Sequence, residues 1–264
     1  AQIAATTSRP YVAKIEGLIN NITSSVQNIE NLPKIVKGSE SNKIHLIVLI
    51  TSDRGLCGSF NTAMARLAKK RINELLNSNK IVKILCIGKK GYNQLKREYK
   101  DLIINTIVLP YKSNEVDYEF AQKVSHRILM MYENDKFDSA SIIFSLFRSP
   151  LKQEPQLKQI IPVLNNDENT TKNSVESIDK EIYEYEPEEE YILKNLIPHN
   201  ISIQIYRGLL ENAAGEEGAR MIAMDNATRN AGELIDSLTL NYNRSRQAQI
   251  TKELIEVISG AEAV

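Results

Sequence analysis

From His199 to Gly260 the chain contains no proline, a run of 62 residues, and at 1.5 Å rise per residue an uninterrupted helix of that length measures about 93 Å. A folded unit of 150 residues has a radius of gyration near 15 Å and is only roughly 40 Å across. Most of such a helix is therefore expected to project from whatever domain carries it. Along it Met221, Met224, Thr228, Ala231, Ile235, Leu238, Tyr242, Ser245 and Gln249 recur at intervals of three and four. That is the seam of a coiled coil whose later positions are small or polar. It packs weakly on itself and depends on surroundings supplied by another protein.

The expected partner is the amino-terminal helix, in which Val12, Ile15, Leu18, Ile19, Ile22, Val26 and Ile29 form one apolar face, or a part of that helix upstream of residue 1. The first ten residues have no initiator Met and no signal-peptide core. They read as the continuation of a helix that begins upstream, so residues 1–42 are expected to be the remainder of a longer shaft helix.

From Lys43 the pattern changes. Residues 44–51, 81–87, 103–109 and 141–147 read as strands, with helices expected over 61–76, 89–98 and 116–132. Strands alternating with helices predict an α/β domain, Rossmann-like, with a mainly parallel sheet covered on both faces. Residues 157–164 could add a strand. Residues 165–174 have no apolar period and are expected to be a surface loop. Pro187, followed by Glu188, Glu189 and Glu190, is a helix start signal, and Pro198 should kink or break the helix beyond it. The expected organisation is thus shaft remainder 1–42, α/β domain with acidic loop and foot 43–186, and a long carboxy-terminal shaft helix 187–264, the two terminal helices forming an antiparallel coiled coil.

The formal charge is zero but unevenly laid out. Residues 1–165 carry 24 Lys/Arg and 14 Asp/Glu, residues 166–190 carry 2 and 10, and residues 191–264 carry 7 and 9. No single element concentrates positive charge, which argues against nucleic-acid binding. Two cysteines cannot build a disulfide framework, and neither has metal-site spacing. The longest apolar run, residues 44–50, is far short of the roughly 20 residues of a membrane-spanning helix.

The most enzyme-like feature is SDRGLCG at 52–58, between the first strand and a helix, where a dinucleotide-binding fold places its phosphate turn. Gly55 and Gly58 give only G-x-x-G, without the spacing that admits pyrophosphate. The bland reading is a tight turn with Asn61 capping the next helix. Cys57 is a nucleophile candidate without a nearby histidine to activate it; the bland reading is a structural thiol. His45, His126 and His199 lie far apart, Glu188–Glu190 read as a solvated first turn, and Lys69, Lys70 and Arg71 as a solvated helix face. Arg244, Arg246 and Gln247 stand near the far end of the projecting helix. They are either a solvated face or a docking end, since an arginine fork grips carboxylates in defined geometry.

The runs EGARMIAMDNATRNA at 217–231, LTLNYNRSRQAQITKEL at 238–254 and ISGA at 258–261, with SDRGLCG at 52–58 and YEP at 185–187, closely resemble ATP synthase gamma subunits. The resemblance covers nearly the whole chain. It implies a rotor: two antiparallel helices form an asymmetric shaft inside a ring of three alpha and three beta subunits, and the α/β domain sits below, beside epsilon and the membrane rotor ring. Proton flow turns ring and shaft, and the shaft drives the catalytic beta sites through open, loose and tight states. The subunit itself has no catalytic residues, cofactor or metal. It lies peripherally on the cytoplasmic face of a bacterial inner membrane or the matrix side of a mitochondrial one.

Residue by residue, the resemblance implies that Arg246 and Gln247 hydrogen-bond a beta-subunit loop, with Thr251 and Glu253 in the same zone. Arg220 becomes a coupling residue of the lower shaft, and Tyr183, Tyr185 and Glu186 the foot against epsilon and the ring. Family members begin about three dozen residues earlier, so part of the shaft is expected to be missing and the seam from Met224 onward unsupported. Two other functions stay open beside this one: a dinucleotide-dependent oxidoreductase using Gly55 and Gly58, and a coiled-coil scaffold that self-associates.

Overall fold

A computed structural model describes residues 2–25, 33–39, 41–110, 117–163 and 189–262. The elements are α1 (Gln2–Ser25), α2 (Lys34–Lys37), β1 (Ile44–Ile50), α3 (Phe60–Asn77), β2 (Ile81–Ile87), α4 (Lys89–Tyr99), β3 (Ile103–Ile107), α5 (Tyr118–Glu133), β4 (Ser139–Ser149), β5 (Lys152–Ile161) and α6 (Glu189–Glu262). They divide into two compact units, residues 1–220 and 221–264.

In the first unit the strands form one five-stranded sheet in the order β3-β2-β1-β4-β5. β1 pairs in parallel with β2 and β4, and β2 with β3. The period-two alternation of β1 sorts its side chains between two cores. Ile47 and Leu49 meet Met64, Ala68 and Ile72 of α3 and Leu95 of α4. Leu46, Val48 and Ile50 face the opposite core with Val124 and Ile128 of α5 and Leu193, Ile197, Ile201 and Ile205 of α6. Burial on both faces is why this strand is apolar almost throughout.

The final strand differs from expectation. It begins at Lys152 and runs antiparallel to β4, Ser149 lying opposite Lys152 across a turn at Pro150 and Leu151. Gln153, Glu154 and Gln156 at this sheet edge hide the strand from an apolar-run reading. The expected end at Leu164 lies outside the described residues, as do Val116, Pro187, Glu188 and the loop 165–174.

Pro198 does not break α6. A proline costs a helix one N–H bond and a steric conflict with the preceding turn, about 3 kcal/mol in a free helix. Here Leu193, Ile197, Ile201 and Ile205, all at 0% exposure, clamp both sides of it. Tertiary burial overrides the local signal.

The terminal helices pair antiparallel within the first unit. Ala5 clusters with Leu210 and Ala214, whereas Val12, Ile15 and Ile19, further along α1, cluster with Ile203 and Leu196, earlier on α6. The second unit consists of the remainder of α6. Its seam residues Met221, Met224, Ile235, Leu238 and Tyr242 are exposed. The side of α6 that α1 covers is therefore 196–214 and not the seam from Met221.

Candidate functional site

The turn after β1 is closed on itself. Asn61 lies inside α3 and does not cap it; Ser59 is the residue before the helix. The Asn61 amide reaches back instead, accepting from Ser52 N at 3.0 Å and donating to Ser52 Oγ at 2.7 Å and Cys57 Sγ at 3.2 Å. Cys57 is buried, a packed thiol within this network. Burial pushes the other thiol, Cys86, up to about 12, so it carries no thiolate at neutral pH.

The first N–H groups of α4 are likewise committed. Lys89 N donates to Asp53 Oδ1 at 2.7 Å, Lys90 N to Ser52 O at 3.1 Å and Gly91 N to Thr51 Oγ1 at 2.8 Å. The free donors that hold a phosphate at a helix start are occupied by the protein's own oxygens. Asp53 also accepts from Leu109 N at 2.9 Å, so one carboxylate ties the ends of β1, β2 and β3 together.

A cavity of about 150 Å³ lies at this carboxyl edge of the sheet, lined by Asp53, Arg54, Lys89, Val108, Leu109, Pro110 and Glu216. One helical turn beyond Glu216 sits Arg220. Its Nη1 donates to Glu217 Oε1 at 2.5 Å and its Nη2 to Glu216 Oε1. Burial raises the Glu216 pKa, opposed by the Arg220 hydrogen bond and by the charge of Arg54. Burial pulls the Arg220 pKa down, but the two carboxylates outweigh it and the net shift is upward.

The docking candidates near the end of α6 are all exposed. At 100° per residue Arg246 and Glu253 share one helix face, and Arg244, Gln247 and Thr251 share another. Thr251 Oγ1 donates to Gln247 O at 2.9 Å, and Glu253 accepts from Gln249 at 3.1 Å. Among the described residues the Arg244 and Arg246 guanidinium groups make no hydrogen bond or ion pair. Their donors are open to a partner. Tyr183, Tyr185 and Glu186, expected at the foot, lie outside the described residues.

The three histidines are not brought together. His45 meets Ser139 Oγ at 2.6 Å and His199 meets Tyr118 Oη at 3.0 Å. Of the basic run, Lys69 pairs with Glu98 and Arg71 with Glu74. No described helix is long and apolar enough to cross a membrane. Sequence reasoning missed Arg9, Glu211 and Glu216. Glu211 and Glu216 sit in a run of ordinary helical composition, and only their burial, 0% and 9%, sets them apart.

The family model described as ATP synthase matches residues 1–264. The chain is 47% identical over 264 residues to the ATP synthase gamma chain of Pelagibacter ubique (strain HTCC1062), covering all of this chain and 88% of that one. It is 46% identical to that of Sinorhizobium medicae (strain WSM419), with the same coverage. The fold is similar to a chain of the Euglena gracilis mitochondrial ATP synthase OSCP/F1/c-ring structure in rotational state 3, with TM-score 0.63 and 18% identity, covering 99% of this chain and 92% of that one. A Tetrahymena thermophila mitochondrial ATP synthase central stalk/c-ring structure gives TM-score 0.55 at 22% identity, covering 85% and 99%. The oxidoreductase and scaffold readings find no support in these likenesses.

Proposed function

This chain belongs to the ATP synthase gamma chain family, and we infer from that premise that it is the non-catalytic rotor subunit of a proton-translocating ATP synthase. It turns with the membrane rotor ring and epsilon, inside three alpha and three beta subunits. It is peripheral on the cytoplasmic face of a bacterial inner membrane. The observation that carries this reading is the exposed stretch of α6, where Leu234, Ile235, Leu238 and Tyr242, which share one helix face, are each 57–66% exposed. An apolar stripe of that extent marks a surface made to be surrounded by other protein.

Torque transmission needs a stiff lever and a few specific catches. A continuous helix supplies the first. Arg246, Gln247, Thr251 and Glu253 supply catches toward a beta-subunit loop, and their division between two helix faces suits them to neighbours met in turn as the shaft rotates. Arg220 supplies a coupling contact lower down, and Tyr183, Tyr185 and Glu186 the foot toward epsilon and the ring. Among the described residues Arg246 is bound to nothing in the chain, so its loss leaves the fold intact.

Co-expression with alpha, beta and epsilon tests the assignment, and co-purification of all four is the expected result. In the reconstituted complex Arg246→Ala lowers coupled turnover, while the thermal midpoint of the isolated chain is unchanged. An ATPase rate equal to wild type removes Arg246 from the catch.

A further inference from the structure

We infer that Glu216 is a positioning residue, holding Arg220 in a fixed orientation at the carboxyl edge of the sheet so that its guanidinium is ready to meet a partner. The inference rests on the reading of Arg220 as a coupling residue. Glu216 lies on α6 with its side chain 12% exposed, whereas that of the neighbouring Glu217 is 48% exposed. Its carboxylate receives Arg220 Nη2 and borders the cavity that Arg54 also lines.

The helical turn that carries it is pinned. A Cβ on Gly215 would stand 3.0 Å from the Phe60 ring, and one on Gly218 would stand 3.1 Å from Pro150 Cα. Gly215 and Gly218 flank Glu216, and at both the helix backbone packs closely, against α3 at one and the β4–β5 turn at the other. The carboxylate is thus carried by a closely packed turn.

Burying a carboxylate is costly unless it is paired, and an apolar residue often stabilises such a position as well. What an apolar residue cannot do is orient a guanidinium. Arg220 has five N–H donors, and the contacts to Glu216 and Glu217 engage two of its nitrogens while leaving further donors to meet an incoming group. A fork already held in place loses less freedom on docking than a free one. Glu133 on α5 is exposed and its carboxylate makes no hydrogen bond or ion pair among the described residues, and it serves as the control.

The test is the ratio of protons pumped to ATP hydrolysed, measured on the complete complex in membrane vesicles. Glu216→Gln is expected to lower that ratio by at least roughly fivefold. Glu216→Asp recovers part of it, and Glu133→Gln stays at the wild-type value. Combining Glu216→Gln with Arg220→Gln is expected to add nothing to the loss caused by Arg220→Gln alone, because the carboxylate acts through that arginine. A wild-type ratio for Glu216→Gln, or losses that multiply in the double variant, overturns the inference. So does failure of Glu216→Gln to enter the complex without rescue by Glu216→Asp, since that describes a purely structural group. If Arg220→Gln is silent, the coupling reading of Arg220 fails and the inference falls with it. If Arg220→Gln lowers the ratio and Glu216→Gln does not, only the inference fails.

Discussion

Arg9 of α1 and Glu211 of α6, 202 residues apart, form a two-point ion pair: Nε donates to Oε1 at 2.6 Å and Nη2 to Oε2 at 2.9 Å. The same guanidinium donates to Phe147 O at 2.6 Å, and Phe147 N donates to Glu211 Oε2 at 2.9 Å. One closed set of bonds thereby joins both terminal helices to β4. The Glu211 side chain is fully buried and that of Arg9 is 31% exposed. Removing either partner leaves an uncompensated charge or polar group inside the fold. Arg9→Ala, which strands the buried carboxylate, should cost about 3 kcal/mol, measured by urea denaturation. A double variant Arg9→Met with Glu211→Met should recover part of that loss.

Asp53 offers a second test of a shared carboxylate. With Lys89 N and Leu109 N both bound to it, Asp53→Ala orphans two backbone donors at the ends of β2 and β3. A loss of about 2 kcal/mol is expected, read as a lower denaturation midpoint. Asp53→Asn should fall between Ala and wild type.

Acid stability should depend on Asp138. Burial alone would raise its pKa, but hydrogen bonds from Ser41 Oγ, Ile44 N and Lys43 N hold it down to about 2. A carboxylate with a depressed folded pKa stabilises the fold above its unfolded value near 3.9. The contribution fades as pH falls from about 4 toward 2. Stability of Asp138→Asn, followed from pH 5 to pH 2, should start below wild type and converge with it at the acid end.

Glycines separate into opposite predictions. Gly88 has φ +98°, and a Cβ there would lie 2.2 Å from Thr51 O. Gly88→Ala should destabilise by more than about 1 kcal/mol, since both backbone and space are violated. Gly232 lies in the exposed part of α6 with nothing within 4 Å of a Cβ. Gly232→Ala should raise helix stability by about 0.8 kcal/mol, visible as delayed loss of far-ultraviolet ellipticity on heating.

Local pattern in the chain was enough to establish the alternation of strands and helices, the parallel sheet and the proline-free helix. Those signals are short-range and periodic: Ile47 and Leu49 against Leu46, Val48 and Ile50 already show a strand buried on both faces. The family likeness was also legible, because it lies in contiguous runs such as 238–254. Three features came instead from the folded arrangement: Pro198 continues a helix, β5 starts at Lys152, and Asn61 braces a turn instead of capping α3. Pro198 is held by core residues distant in sequence, and their packing outweighs a propensity of a few kcal/mol; Asn61 bonds Ser52 and Cys57, and β5 turns straight back on β4, through contacts that local propensity does not show. Glu211 and Glu216 illustrate the same limit. A glutamate on a helix reads as solvated; the four-residue spacing of Glu216 and Arg220 is legible, but the burial of Glu216 and the reach of Glu211 to Arg9 are set only by the folded arrangement.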